Sequence, residues 1–269
     1  MSRFYEPNAS KEELISNRIL ENTHIQRYLE EGYDKTQGWP TIAFPQMVDW
    51  LDSLPLNRRG GVMEIGVHGG TTLMLLNHTV SKGESVAIDV FDNQGYNVSY
   101  SGGFRESIVK KHTSEPLTHL ELFKRHLERF DRHRGANVRI ISGDSLLLEP
   151  HEVHRGNKFK YISIDGGHDP IHVINDLKLS EKSVTPEGVV ILDDWMNVHF
   201  LGVTEGAIRY MMGGGNLVPF ASSFHKLYMC NYSVAEKYKK FCLDSPYRTL
   251  RNTVCSHDAY HFPHHNNNW

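Results

Sequence analysis

The spacing of apolar positions changes character along the chain. Ser10 followed by Glu13 makes a capping box, and Ile15, Ile19, Leu20 and Ile25 recur at helical spacing, which predicts a helix over about 10–31. QGWPTIAF (37–44) reads as a loop and FPQMVDWLDSL (44–54) as a short helix with Pro45 in its first turn. From residue 61 onward short apolar runs replace the helical period. GVMEIGV (61–67), SVAIDVF (85–91), NVRIISGD (137–144), KYISIDGG (160–167) and GVVILDDW (188–195) predict five strands. Helical stretches alternate with them: LMLLNHTVS, SEPLTHLELFKRHLERF (114–130), DPIHVINDLKLSEKSV (169–184) with Asp169 as N-cap and Pro170 behind it, and TEGAIRYMM. NLVPFA (216–221) and HKLYMCN (225–231) read as a hairpin, and a helix over about 233–243 follows. Residues 92–116, rich in Gly, Ser, Asn and Tyr, predict an irregular connection of the length that usually carries function.

Strands alternating with helices predict an α/β fold, a doubly wound, mostly parallel sheet covered on both faces. The hairpin would add an antiparallel strand at one edge. The expected organisation is an N-terminal helical cap over 1–55, a catalytic α/β domain over 56–235, and a C-terminal appendage with a polar tail over 236–269.

Composition narrows the partners. Of the 269 residues 39% are hydrophobic and 23% charged, the profile of an ordinary globular protein with one sizeable core. The formal net charge of −3 supplies no basic field for nucleic acid or an anionic membrane, and the apolar runs are far too short to span a bilayer. The charged N-terminus lacks an apolar signal core, so a cytoplasmic location is expected. Three cysteines without CxxC spacing support neither a disulfide framework nor a structural zinc site. The partner expected is a small molecule, with a homo-oligomer compatible with it.

In doubly wound sheets ligands bind beyond the carboxyl ends of the strands, so the residues ending each strand are the candidates. The first ends in Glu64-Ile65-Gly66-Val67-His68-Gly69-Gly70, where Gly66 and Gly69 let the backbone come close to a ligand. Glu64 stands where a pyrophosphate would meet repulsion, which disfavours a nicotinamide cofactor. The second ends in Asp89, placed to accept from ribose hydroxyls, and the third in Gly143-Asp144, where an acid can receive an adenine amino group. Asp165 closes the fourth strand, with His168 three residues on, and Asp193 and Asp194 close the fifth. Hard carboxylate oxygens of this kind suit Mg²⁺ or another hard divalent cation. Trp39, Tyr96, Tyr100 and Trp195 are aromatics that could face a ring-shaped acceptor or pack in a lid.

From about residue 60 to 230, through MEIGVHGG, AIDVF, ISGDSL, YISIDGGH and PEGVVILDDW, the sequence resembles the class I S-adenosylmethionine-dependent methyltransferases. The pair IDGGH and PEGVVILDDW resembles the metal-dependent O-methyltransferase branch that includes macrolide-sugar and aminocoumarin-sugar enzymes. The resemblance implies a seven-stranded sheet and S-adenosylmethionine as cofactor. It implies Glu64–Gly70, including Gly66, Gly69 and Gly70, around the methionine part, Asp89 on the ribose, and Asp144 with Ser145 at the adenine edge. It implies Asp165, Asp193 and Asp194 as ligands of Mg²⁺. A neutral His168 would be the proton acceptor. Some enzymes of that branch carry an acid two residues after the first ligand, where this chain has Gly167. The expected activity is methyl transfer to a hydroxyl of a sugar or catechol-like ring. Metal-independent N- or C-methyl transfer on the same fold, and a non-catalytic cofactor-binding subunit, are the alternatives.

Overall fold

The computed structural model describes residues 20–36, 43–56, 59–91, 117–131 and 135–263. The expectations that fall on 1–19, 37–42, 92–116 and 264–269, including Trp39, Tyr96, Tyr100 and the irregular connection, lie outside the described residues.

Among the described residues the sheet is one array of nine strands. These are β1 (Val62–Ile65), β2 (Ser85–Asp89), β3 (Val138–Ser142), β4 (Phe159–Ile164), β5 (Val184–Leu192), β6 (Leu217–Ser223), β7 (Lys226–Asn231), β8 (Leu250–Val254) and β9 (His257–Phe262). Their order is β3-β2-β1-β4-β5-β7-β6-β9-β8. Strands β1 to β5 pair in parallel, β7 runs antiparallel between β5 and β6, and β9 joins β6 in parallel. The doubly wound α/β expectation holds. Two details differ: the antiparallel strand of the hairpin is internal, and the edge is the antiparallel β8, making nine strands instead of seven. Pairing to both β5 and β6 buries β7, whereas β8 and β9 come from polar segments without a strong apolar alternation.

Helices flank the sheet: α1 (Thr23–Glu31), α2 (Ala43–Ser53), α3 (Thr71–Asn77), α4 (His119–Phe130), α5 (Pro150–His154), α6 (Pro170–Ser183), α7 (Leu201–Met212) and α8 (Ala235–Leu243). The period of two sorts each strand between two layers. On β5, Val189 and Ile191 pack in a cluster with Phe44, Val48, Leu73 and Phe123; Val190 and Leu192 pack with Val173, Leu177, Val203 and Ala207. Burying each such side chain contributes about 1.5–3 kcal/mol.

Local chemistry sets two helix starts. Of the helix expected over 10–31, the part over 10–19 lies outside the described residues; residues 20–22 are non-helical and α1 begins at Thr23, where the Asn22 side chain accepts from the His24 and Ile25 amides. Asp49 fixes that entry by accepting from the Glu21 and Asn22 amides. The helix predicted from Ser114 starts at His119, where Thr118 and Glu121 form a reciprocal capping box.

The chain runs from β1 outward to β3 and then returns to β4 on the other side of β1. The crevice beyond the ends of β1 and β4 is therefore the topological switch point, where such folds bind ligands.

Candidate active site

Gly66 follows β1 with φ of +83°, and Asp165 follows β4. A Cβ on Gly66 would lie 1.8 Å from the Asp165 carbonyl oxygen, so only glycine lets the two turns meet. Gly70 also needs its glycine, with φ of +86° and the Phe123 ring 2.6 Å from where a Cβ would sit. The Gly69 carbonyl is paired with the His126 ring at 2.8 Å.

Glu64 lies under this turn at 2% exposure. Burial pushes its carboxyl well above the usual range, opposed by Lys226, the Leu73 amide and the Ser163 hydroxyl. Asp89 ends β2 with its carboxylate on the backbone: Oδ2 accepts from the His68 amide at 2.9 Å and Oδ1 from the Phe91 amide at 2.7 Å. It thereby ties the β1 turn to the β2 turn. Asp144 accepts from the Leu146 amide beyond β3, and Ser145 next to it is buried. Asp176 on α6 is buried behind Ser145, with an oxygen 3.1 Å from where a Cβ of Gly166 would stand. Its carboxyl is raised to about 7, first by desolvation and then by Asp144, with the nearby Ser145 and Asn175 side chains opposing.

The ends of β4 and β5 gather the acids. Asp165, His168 and Asp194 each offer a ligand atom, and these atoms lie within 4.8 Å of one another. Asp165 is exposed. Its carboxyl is held well above the usual range by the surrounding protein, then by Asp193, with Asp194 and Glu64 adding and Lys226 opposing. The accessible tip moderates the first of these causes. His168 Nε2 is 3.1 Å from Asp194 Oδ2, and its ring stacks on Phe200 with centroids 4.0 Å apart and planes 15° apart. Asn197 donates to the other Asp194 oxygen at 2.7 Å. Burial raises the Asp194 carboxyl, but the bonds from His168 and Asn197 outweigh it and hold it low. Asp194 and Met196 both adopt left-handed backbone, φ of +56° and +59°, a strained conformation for residues with side chains that aims this turn at His168.

Asp193 turns elsewhere. Its Oδ1 accepts from the Asp194 amide at 3.0 Å and its Oδ2 meets the Lys226 ammonium at 2.5 Å. Of the three acids expected as ligands, Asp165 and Asp194 come together with His168, and Asp193 faces Lys226. Lys226 was missed in the sequence because it heads an apolar strand; a lysine opening a buried run was the available signal. Gly167 has a packing cause: a Cβ there would sit 2.5 Å from the His172 ring. Asp169 stands at the N-cap of α6 without a side-chain capping bond, 4.0 Å from His172. Trp195 is buried in the core between the sheet and α7.

Two surface cavities among the described residues, about 450 and 500 Å³, lie away from this cluster. One is at the start of β2 and β3 around Lys82 and Arg139, the other between α6 and the end of α7. No described helix is long and apolar enough to cross a membrane.

A family profile described as a methyltransferase domain matches residues 63–195. The fold is similar to that of the O-methyltransferase NovP, at 18% identity over 70% of this chain and 77% of that one, with a TM-score of 0.50. It is equally similar to a candidate O-methyltransferase from Klebsiella pneumoniae, at 15% identity over 94% of both chains and a TM-score of 0.50. No curated protein sequence matches the chain.

Proposed function

We propose that the protein is a class I, S-adenosylmethionine-dependent methyltransferase that methylates a hydroxyl of a small molecule with help from a divalent cation; the methyltransferase-domain profile matched by residues 63–195 and the fold it shares with O-methyltransferases support this reading. The observation that carries the reading is the meeting of Asp165, His168 and Asp194 beyond β4 and β5. The two carboxylates are a donor pair that fits a hard divalent ion, with the imidazole beside them. When bound, such an ion supplies Lewis-acid acidification of a chelated hydroxyl, which a sugar or catechol-like acceptor needs most.

The rest falls to side chains of this chain. Asp165 and Asp194 would hold the cation. His168, fixed by Asp194 on its edge and Phe200 on its face, would accept the hydroxyl proton at a ring nitrogen as the methyl moves. Asp89 would take the ribose hydroxyls while keeping the β1 turn in place, and Asp144 with Ser145 would meet the adenine. The glycines at 66, 69 and 70 would give the methionine part its approach, with Glu64 bracing the turn from beneath. O-methyl transfer is also the activity named for NovP.

The test is methyl transfer from labelled S-adenosylmethionine to a panel of sugar and catechol acceptors, after exhaustive chelation and again with Mg²⁺ restored. Activity that vanishes and returns supports the reading. Full activity in the chelated sample overturns it in favour of metal-free transfer.

A further inference from the structure

Lys226 opens β7, whose Leu227 pairs with Leu192 at the end of β5. That register sets Lys226 against Asp193. Lys226 is buried at 7% exposure, with its ammonium 2.5 Å from Asp193 Oδ2 and 4.5 Å from the centre of the Phe44 ring. Glu64 and Asp165 lie within its electrostatic reach, and so does Asp194. One buried ammonium thus pairs with Asp193 and acts electrostatically on three further carboxylates, on β1 and beyond β4 and β5. An unpaired buried lysine is costly, and so are carboxylates crowded together without a counter-charge. Each relieves the other here. The pairing also has a geometric result: both oxygens of Asp193 are engaged, by Lys226 and by the Asp194 amide, while Asp165 and Asp194 are left facing His168.

We propose that Lys226 is the resident counter-charge of this acidic cluster, a positioning residue that holds Asp193 away from the cation site and sets how strongly that site attracts a divalent ion. This rests on the reading that Asp165 and Asp194 take such an ion. The fixed positive charge steadies the acids when no ion is bound and opposes an ion that enters. A neutral side chain at 226 therefore leaves a cluster that needs a cation more and binds it more tightly. A purely structural lysine gives the opposite, because its loss disorders the site and weakens binding.

The experiment compares the full chain with Lys226→Met, which keeps an unbranched side chain of similar length without the charge, and with Lys226→Arg. Mn²⁺ alone is the probe, followed by electron paramagnetic resonance, with thermal melting in chelator and in Mn²⁺. Lys226→Met is expected to melt below the parent in chelator, to recover in Mn²⁺, and to bind Mn²⁺ about tenfold tighter or more, the scale of one removed near charge. Lys226→Arg is expected to behave as the parent. Unchanged or weaker Mn²⁺ binding by Lys226→Met, or an equal loss of stability with and without the ion, overturns the proposal. If Lys226→Met is soluble only when produced with Mn²⁺, the proposal stands; insolubility under both conditions overturns it. Methyl transfer that survives chelation in the parent protein would refute the metal reading separately, and the Lys226→Met and Lys226→Arg comparison would still decide the counter-charge.

Discussion

Gly66 and Asp165 face each other across the crevice between β1 and β4, so closely that a methyl group on Gly66 would meet the Asp165 carbonyl oxygen at 1.8 Å. The Gly66 amide donates to Ile88 O and the Asp165 amide to Ile65 O, each at 2.8 Å, so neither turn is free to retreat. Gly66→Ala is expected to destabilise the protein by about 3 kcal/mol or more, through backbone clash and a left-handed φ together. Urea unfolding checks this; a loss under about 1 kcal/mol would show that the turns yield.

Asp89→Asn keeps the size of the side chain but removes its charge and leaves one acceptor oxygen for the two backbone amides. Binding of S-adenosylhomocysteine is expected to weaken by about 1.5–3 kcal/mol, the worth of hydrogen bonds to a charged acceptor. Unchanged affinity by calorimetry would take Asp89 out of the cofactor site.

Asp176 gives a pH signature of the fold. Its folded carboxyl titrates near 7, above the ordinary value of 3.8, because burial disfavours the charge. The native state therefore holds a proton that the unfolded chain releases, and stability falls as pH rises from about 4 to about 7, then levels. Asp176→Asn removes that slope and is expected to be more stable than the parent at pH 8 by about 2–4 kcal/mol, with little gain at pH 4. Chemical unfolding at the two pH values decides it. Parallel stability curves would mean that Asp176 stays charged throughout.

His168 and Asp194 separate by kinetics. His168→Ala is expected to lower kcat by about 10²–10⁴ with a smaller change in KM, as removal of a proton acceptor does. Asp194→Asn is expected to abolish transfer while leaving S-adenosylhomocysteine affinity nearly intact, since the proposed cofactor contacts lie on other strands. A His168→Ala enzyme of full kcat would pass the proton to water or another residue.

The candidate acids could be read from the sequence because a parallel sheet delivers all its strand ends to one side. Asp89, Asp144, Asp165, Asp193 and Asp194 each follow an apolar run, so finding the runs located them. The orientation of Asp193 could not be read, since it depends on the β5–β7 register that sets Lys226 opposite it. Asp176 was hidden for a related reason. It occupies a buried position of α6 that a helical period expects to be apolar, and its neighbour Ser145 is 31 residues away. The strands β8 and β9 escaped because their residues alternate weakly; Arg251 and Asp258 pair across them at 2.7 Å, and most of β8 is exposed. His261 and Phe262, within the expected C-terminal appendage and polar tail, belong to β9, where Phe262 packs against Trp50 at 5.2 Å.

The parallel pairing of β9 onto β6 has a consequence for the order of events during synthesis. Ala221 pairs with Tyr260, so the ribosome must add α8 and the whole β8–β9 segment before that flank of the sheet can close. Until then the outer row of β6 amides and carbonyls is bare beside an apolar surface that includes Phe220, an invitation to wrong pairing by neighbouring chains. The antiparallel β8–β9 hairpin is local and can form by itself in microseconds. Its docking, later and non-local, is then the step that seals the molecule, and slowed translation near its codons would lengthen the vulnerable interval.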